Sequence, residues 1–303
     1  MLEARKGLLL GVAAYLMWGA FPLYWPLLEP AGAFEILAHR VLWSLVTMGL
    51  IAVALRRGSR VRALARDRRV LALLVLSAAS VTVNWAMYIW GVNNGRVVET
   101  SLGYFINPLV TVLMGVLLLG ERVRRPQWLA LGVGILAVLV LTWDYGRLPW
   151  VALVLALSFG IYGLAKKTAG VGAIEGLTAE TLLIVPFAAT YLAWLGTSGD
   201  ADFGSHGAGH VVLLMTTGIV TAIPLLCFGA AATRIPLVSL GLLQYLAPIL
   251  QFALGVFWFH EDMPPGRWAG FALVWLALTV LTVDAVRHRS RQLALAARSA
   301  TAG

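Results

Sequence analysis

Cysteine is almost absent from this chain of 303 residues, and charged side chains are scarce. The one cysteine, Cys227, lies in an apolar run, so neither an intramolecular disulfide nor a thiolate metal cluster can form. Asp, Glu, Lys and Arg together make up 12% of the residues, about half the share typical of soluble globular proteins. A water-soluble domain could not hide so much apolar surface, and this excludes that class of protein.

Sequence signatures of enzymes and of nucleic-acid-binding proteins are missing too. There is no glycine-rich phosphate loop, nucleophile elbow or metalloprotease motif. The net charge of +9 would suggest a nucleic-acid partner in a soluble protein, but here the basic residues lie in loops beside apolar runs. His206 and His210 are four residues apart, but the glycines between them form a poor helix. We therefore predict no nucleic-acid partner, no cofactor and no metal site.

Long apolar segments are what the sequence does contain, since 60% of its residues are hydrophobic. A membrane-spanning helix needs about 20 mostly apolar residues, so the chain has material for ten spans with short connections. We predict an all-α integral membrane protein with ten transmembrane helices. The predicted spans are 7–27, 33–55, 70–90, 99–119, 127–143, 149–165, 174–195, 211–229, 238–259 and 267–285.

The distribution of basic residues predicts the orientation of these spans. Loops on the cytoplasmic side of a membrane are enriched in Lys and Arg. With the amino terminus inside, 19 of the 23 basic residues fall on the cytoplasmic side and 3 on the other, and Arg40 lies inside a span. Adding or removing one internal helix would destroy this bias. We therefore predict a multi-pass protein of the bacterial inner membrane, with both termini in the cytoplasm.

The two halves of the chain are related by an internal repeat. Residues 32–35 (Gly-Ala-Phe-Glu) return as residues 172–175 (Gly-Ala-Ile-Glu), an offset of 140. At the same offset, Pro108, Glu121 and Trp128 return as Pro248, Glu261 and Trp268. Each half has five spans, an odd number, so the second half enters the membrane in the opposite orientation. We predict two inverted five-helix repeats, 1–145 and 146–286, followed by a basic cytoplasmic tail, 287–303.

Two prolines occupy matched positions in this repeat. Pro108 falls inside the fourth predicted span and Pro248 inside the ninth. Each removes a backbone donor and loosens its helix, and helices broken at matched positions indicate a binding site near the middle of the membrane. A packing kink without a binding role is the simpler alternative.

Ionisable side chains inside apolar spans are costly and are therefore candidates for function. Glu35 and His39, in the second span, are four residues apart on one helical face and could form a charge pair or a proton relay. In the alternative interpretation, His39 is an interior histidine whose ring nitrogens have hydrogen-bond partners, and Arg40 neutralises the charge of Glu35 locally. Glu99, in the fourth span, is a third candidate for proton coupling.

Amide and aromatic side chains in the spans are candidates for binding a solute. The predicted substrate-binding residues are Arg40, Asn84, Trp85, Tyr88, Tyr104, Asn107, Gln244 and Tyr245. Their alternative role is to bond neighbouring helices to one another. Aromatic faces with a few amides suit a small amphipathic or zwitterionic solute better than an inorganic ion.

Four segments of the first half also resemble a known family. They are residues 15–25 (YLMWGAFPLYW), 35–44 (EILAHRVLWS), 84–93 (NWAMYIWGVN) and 99–109 (ETSLGYFINPL). In these motifs the chain resembles the RarD group of the EamA branch of the drug/metabolite transporter superfamily, and the resemblance extends to about residue 285. It implies two inverted five-helix repeats around a central cavity that opens alternately to each side. Related members export amino acids, drugs or metabolites, and this group carries a chloramphenicol-sensitivity label.

The second half departs from the first at positions that matter for binding. Glu180 stands where Arg40 would repeat, and Ala247 replaces Asn107. We therefore predict an asymmetric site dominated by the first half. The function predicted is that of a secondary transporter, an exporter of drug-like, amino-acid-like or other metabolite solutes. A passive facilitator or channel is the alternative. An integral-membrane enzyme is less favoured, because clustered carboxylates or histidines are missing from the sequence.

Overall fold

The computed structural model describes residues 2–119, 124–232, 234–235 and 242–301, and all the regular structure in those residues is helical. A 3-10 turn, Trp25–Leu28, follows α2, and a π turn, Leu254–Trp258, follows α11. The helices are α1 (Leu2–Gly19), α2 (Phe21–Tyr24), α3 (Ala33–Ala54), α4 (Gly58–Leu64), α5 (Arg68–Asn93), α6 (Val97–Leu119), α7 (Arg125–Tyr145), α8 (Trp150–Ala169), α9 (Ala173–Ser198), α10 (Gly207–Ala232), α11 (Leu246–Ala253) and α12 (Pro265–Thr301).

Seven of these helices are long and apolar enough to cross a membrane: α3, α5, α6, α7, α9, α10 and the part of α12 up to His288. An eighth candidate combines α1 with α2 and its 3-10 turn, across a bend of 45°. The helices α8 and α11 are apolar but shorter. The protein is thus an all-helical, multi-pass membrane protein. The count of ten spans stays a prediction, and the ninth predicted span begins outside the described residues.

Proline explains the bend in the first of these segments. After α1 ends at Gly19, Pro22 and Pro26 lie at the starts of α2 and the 3-10 turn, where a missing N–H costs nothing. The bend carries the side chains of Phe21 and Trp25 into the interior, where both are buried. It therefore places an indole ring among the helices that surround Arg40.

The helices pack in a defined order around this interior. The helix α3 packs against α9 and α10, α8 packs against α5 and α6, and α1 packs against α10 and α11. The helices α7 and α12 pair with each other and adjoin α6. Phe105, Phe252 and Phe271 form the aromatic centre of the cluster that joins them. The predicted site residues of α3, α5 and α6 consequently meet near α8 and α10.

One helix was missed by the sequence analysis. The short basic helix α4 lies between α3 and α5, contacts α9 and buries none of its residues. Just before it, Arg57 Nη1 donates a hydrogen bond of 2.7 Å to Glu175 Oε1 at the start of α9. The connection between α3 and α5 is therefore tied to the second half of the chain.

Glycine permits a close approach of α10 to α3. A Cβ atom added to Gly218 of α10 would overlap the backbone carbonyl of Trp43 in α3. We expect Gly218→Ala to lower the free energy of unfolding by about 1–3 kcal/mol, because backbone atoms must move to admit the methyl group. Gly229→Ala, in the same helix, is the control, since a Cβ there meets open space and alanine favours a helix. Equal melting temperatures of the two purified variants would contradict the prediction.

Candidate functional site

Arg40 lies about two turns into α3 and is only 3% exposed. Its Nε donates a hydrogen bond of 3.1 Å to Thr221 Oγ1 of α10. Its guanidinium carbon lies 4.0 Å from the centre of the Trp85 ring and 4.9 Å from that of Trp25. Cation–π attraction to two indoles stabilises a charge that has left water. The site is thus built around one arginine held by α3, α5, α10 and the bend after α1.

The contacts of Arg40 leave part of its guanidinium unsatisfied. Its Nη1 is buried and has no hydrogen-bond partner within the described part of the chain. Glu35, five residues earlier on α3, directs its carboxylate to the backbone N–H groups of Asp202 and Phe203. Among the described residues, no carboxylate lies within ion-pair distance of Arg40. One face of a buried cation is therefore left without a counter-charge.

Asn84, Tyr88 and Tyr104 extend this site along α5 and α6. The amide of Asn84 donates hydrogen bonds to Leu155 O at 3.0 Å and Ser158 Oγ at 3.1 Å, and accepts one from Tyr104 at 3.1 Å. Asn84 therefore joins three helices and fixes the ring of Tyr104. The ring of Tyr88 meets that of Tyr104 edge to face, with centroids 5.6 Å apart. The buried hydroxyl of Tyr88 has no partner in the residues described.

The structure distributes the other predicted binding residues more widely. Asn107 lies on α6 one turn after Tyr104, and its buried Oδ1 lacks a partner in the described ranges. Gln244 and Tyr245 lie in the turn before α11. Tyr245 packs against the apolar cluster that contains Phe105. A role for these three in binding stays a prediction.

The two matched prolines have different local structures. The helix α6 continues through Pro108 without a break in its assigned length. Pro248, in contrast, lies in the first turn of α11, directly after the turn at residues 244–245. A proline in a first turn loses no helical hydrogen bond, whereas Pro108 leaves the carbonyl of Tyr104 without its usual donor. The helix is thus interrupted near Pro248.

Glu35 and His39 lie close together near the start of α3. His39 Nε2 lies 3.9 Å from Glu35 Oε1, and both side chains are almost completely buried. The His39 ring stacks on Phe203, with centroids 4.5 Å apart. The histidine therefore adjoins a carboxylate that is already held by the segment before α10. The geometry permits a proton relay, which stays a prediction.

The carboxylate of Glu99 pairs with arginine side chains at the start of α6. Its carboxylate accepts hydrogen bonds from Arg147 Nη2 at 2.6 Å and from Arg147 Nη1 at 3.2 Å. It also accepts the backbone N–H of Val151 at 3.2 Å and lies 3.9 Å from Arg96. Glu99 thus ties the start of α6 to the start of α8. Its part in proton coupling stays a prediction.

Glu261, in the connection before α12, caps the same end of α6. Its carboxylate accepts the backbone N–H groups of Val97 and Val98, the second at 3.0 Å. Burial raises the pKa of this carboxyl to about 7, although these two hydrogen bonds and the charge of Arg267 act in the opposite direction. A helix amino terminus is a favourable place for a carboxylate. Glu261 is thus a titratable link between the two halves near neutral pH.

Sequence reasoning missed the partners that complete the interior. Trp25 and Thr221 were not singled out, because an indole near a bend and a threonine in an apolar span carry no charge signal. Glu180 is buried and accepts hydrogen bonds from Ser77 Oγ at 2.5 Å and Lys166 Nζ at 3.1 Å. The repeat offset of 140 places Glu180 at the position of Arg40, but it does not reveal Ser77 and Lys166 as its partners.

Comparison with known proteins places this geometry in context. The model of the EamA-like transporter family matches residues 5–143. Protein RarD of Streptomyces exfoliatus is 58% identical over 289 residues, covering 95% of this chain and 92% of its own length. Protein RarD of Escherichia coli (strain K12) is 42% identical, covering 95% and 98%. An uncharacterized transporter of Bacillus subtilis (strain 168) is 41% identical, covering 95% and 97%.

A solved structure resembles the fold as a whole. A protein in a crystal structure superposes with a TM-score of 0.60 over 91% of this chain and 97% of its own. The sequence identity is 20%, so the likeness concerns the fold alone. It extends across both halves of the chain.

The raised pKa of Glu261 predicts a pH-dependent stability. Because the folded protein keeps a proton on this carboxyl up to about pH 7, against 4.5 ordinarily, the stability linked to it is complete at low pH. It is lost as the pH rises through 7. We expect Glu261→Gln to flatten the decline in melting temperature between about pH 5 and 8. Asp262→Asn, at an exposed neighbour, is the control. If the melting temperature of Glu261→Gln fell with pH as steeply as that of the wild-type protein, the raised pKa of Glu261 would be contradicted.

Proposed function

Since the chain belongs to the EamA-like transporter family as a RarD-like member, we propose that it is a secondary transporter that exports small solutes across the inner membrane by alternating access. The observation that carries this proposal is the buried Arg40 between Trp25 and Trp85, with Nη1 unpaired among the described residues. A charge in such a place is costly and marks a solute pathway. Tyr88, Tyr104 and Asn84 would then shape the site.

The proposal includes ten spans arranged as two inverted repeats, with α8 to α12 as the counterparts of α1, α3, α5, α6 and α7. The packing supports this arrangement, because helix contacts occur in matched pairs. The contact of α5 with α8 corresponds to that of α10 with α1. In the same way, α6 with α8 corresponds to α11 with α1, and α3 with α10 corresponds to α9 with α5. An inverted repeat is a common basis for alternating access.

Two matched glutamates give further support to the repeat. Glu35, at the start of α3, accepts two backbone N–H groups of the segment before α10. Its counterpart Glu175, at the start of α9, pairs with Arg57 of the segment before α5. Each glutamate therefore closes one end of the bundle onto the other half of the chain. The outer contact would separate in one open state and the inner contact in the other.

Closure of the site supports a carrier over a continuous channel. Arg40 is buried, and the Glu99–Arg147 pair at the start of α6 and the Glu175–Arg57 pair at the start of α9 would close opposite ends of the bundle in the inverted arrangement. A solute can reach Arg40 only after one set of contacts opens. We expect labelled solute to show saturable counterflow in proteoliposomes when a panel of amino acids, antibiotics and metabolites is tested. Linear, non-saturable flux would favour a facilitator or channel.

The inverted arrangement predicts opposite labelling of matched positions. Ser59 follows α3, Ser198 ends α9, and both are exposed. In a Cys227→Ser background, we expect Ser59→Cys to react with an impermeant maleimide only from the cytoplasmic side. Ser198→Cys should react only from the outside. Labelling of both from the same side would contradict the inverted repeat and the ten-span count together.

Proton coupling through His39 predicts a specific loss of pH response. We expect His39→Ala to abolish the acceleration of solute flux by a pH gradient, because the relay with Glu35 would lack its second group. The measurement is flux of the solute with the strongest counterflow, with and without the gradient.

The matched control is His206→Ala, a partly exposed histidine of the outer loop that pairs with Asp202. It should retain the response. If His39→Ala also kept its full response, the coupling role would be abandoned while the transport function stood.

A further inference from the structure

Arg40 is a buried cation for which the described chain supplies no counter-charge. We propose that the transported solute supplies it, and that the solute is therefore an organic monoanion, a carboxylate on an apolar body. This inference rests on the proposed transport function. It adds the charge of the solute, which the family membership leaves open.

The buried carboxylates in the described residues all have partners. Glu99 is paired with Arg147, Glu175 with Arg57, and Glu180 with Lys166. Glu35 accepts two backbone N–H groups and adjoins His39. Burying a charge without a partner is strongly unfavourable, and proteins otherwise avoid it. The protein compensates its buried carboxylates and leaves its buried arginine open.

The internal repeat allows a direct comparison of Arg40 with a buried carboxylate at the equivalent position. Glu180 occupies the position in α9 that Arg40 occupies in α3, so the two repeats place opposite charges at equivalent depths. Lys166 and Ser77 satisfy one oxygen of Glu180. Arg40 makes only a hydrogen bond to Thr221 and cation–π contacts with aromatic rings. Glu180 thus already has a cationic partner, and only its Oε2 is buried without a hydrogen-bond partner among the described residues. Arg40 has no anionic partner there.

Two further unsatisfied donors belong to the buried cluster against which Trp85 packs. Besides Arg40 Nη1, the Trp25 Nε1 and the Tyr88 hydroxyl are buried and have no partner among the residues that the structure describes. Indole and guanidinium nitrogens can only donate, so they require acceptors. A carboxylate offers two oxygens and fits the planar fork of a guanidinium. The free nitrogens of Arg40 and Trp25 thus match an anion, whereas the Tyr88 hydroxyl can donate or accept and the unpartnered Asn107 Oδ1 only accepts.

The walls of the site indicate the rest of the solute. Arg40 lies 4.0 to 5.7 Å from the ring centres of Trp85, Trp25 and Phe21, and Tyr88 adjoins Tyr104. These rings would bury an apolar or aromatic body. A small hydrated inorganic anion would leave them without contact. We therefore infer a carboxylate attached to an apolar group.

The first test is independent of any ligand. Arg40→Met keeps the length of the side chain and removes the charge. Because a lone buried charge destabilises the empty protein, we expect the melting temperature of purified Arg40→Met to stay equal or rise. Arg267→Met is the matched control, since Arg267 also stacks on an aromatic ring, Tyr145, but pairs with Asp144. It should melt at a lower temperature. A fall in Arg40→Met as large as in Arg267→Met would assign Arg40 to structure and overturn the inference.

The second test uses acetate, benzoate, phenylacetate and indole-3-acetate, each beside its amide, together with phenethylamine. We expect the aromatic acids to raise the melting temperature of the wild-type protein, with little effect of acetate, the amides or the amine. Arg40→Met should lose the shift.

Amides or amine that act as strongly as the acids would overturn the inference, and so would the absence of a shift with every acid. Saturable counterflow of a neutral or cationic solute would then leave the transport function standing. Failure of counterflow with every solute would instead refute the transport function.

Discussion

The burial of one positive charge constrains the rest of this interior. A guanidinium in an apolar bundle needs compensation, and here it comes from two indole faces and a threonine hydroxyl rather than from a carboxylate. Each of these groups belongs to a different part of the chain. The bend after α1 brings Trp25, α5 brings Trp85 and α10 brings Thr221. The position of Arg40 is therefore supported by contacts from both halves of the protein.

The carboxylates lie in different parts of the bundle from Arg40. Glu35, Glu99, Glu175 and Glu261 lie near helix starts, where backbone N–H groups or arginines from another segment meet them. Such contacts hold the ends of the bundle closed without placing charge at its centre. They are also contacts that water can replace when an end opens. In the proposed carrier the carboxylates would thus act in closure of the ends, and Arg40 in recognition of the solute.

The sequence could predict the apolar spans, because hydrophobic runs of about twenty residues are visible in the order of its residues. It could also single out Arg40, since a charge within such a run is costly wherever it points. It could not predict Trp25 as a partner, because that contact depends on a bend of 45°. Nor could it distinguish Asn84, which bonds α8 and Tyr104, from Tyr88, whose hydroxyl is free in the described structure. Helix length and charge are local properties, whereas hydrogen-bond partners depend on packing.

The lack of a carboxylate partner for Arg40 also bears on how the proposed carrier would move. In the proposed transport cycle, closure without solute would bury Arg40 as a lone cation. With the proposed carboxylate bound, closure would bury a neutral pair, which two parallel hydrogen bonds can join. A ligand shifts a conformational equilibrium by its difference in affinity between the states, so an anion favours the closed state over the empty alternative. On this proposal the loaded carrier would pass through closure more readily than the empty one, and this difference would link movement of the protein to movement of its solute.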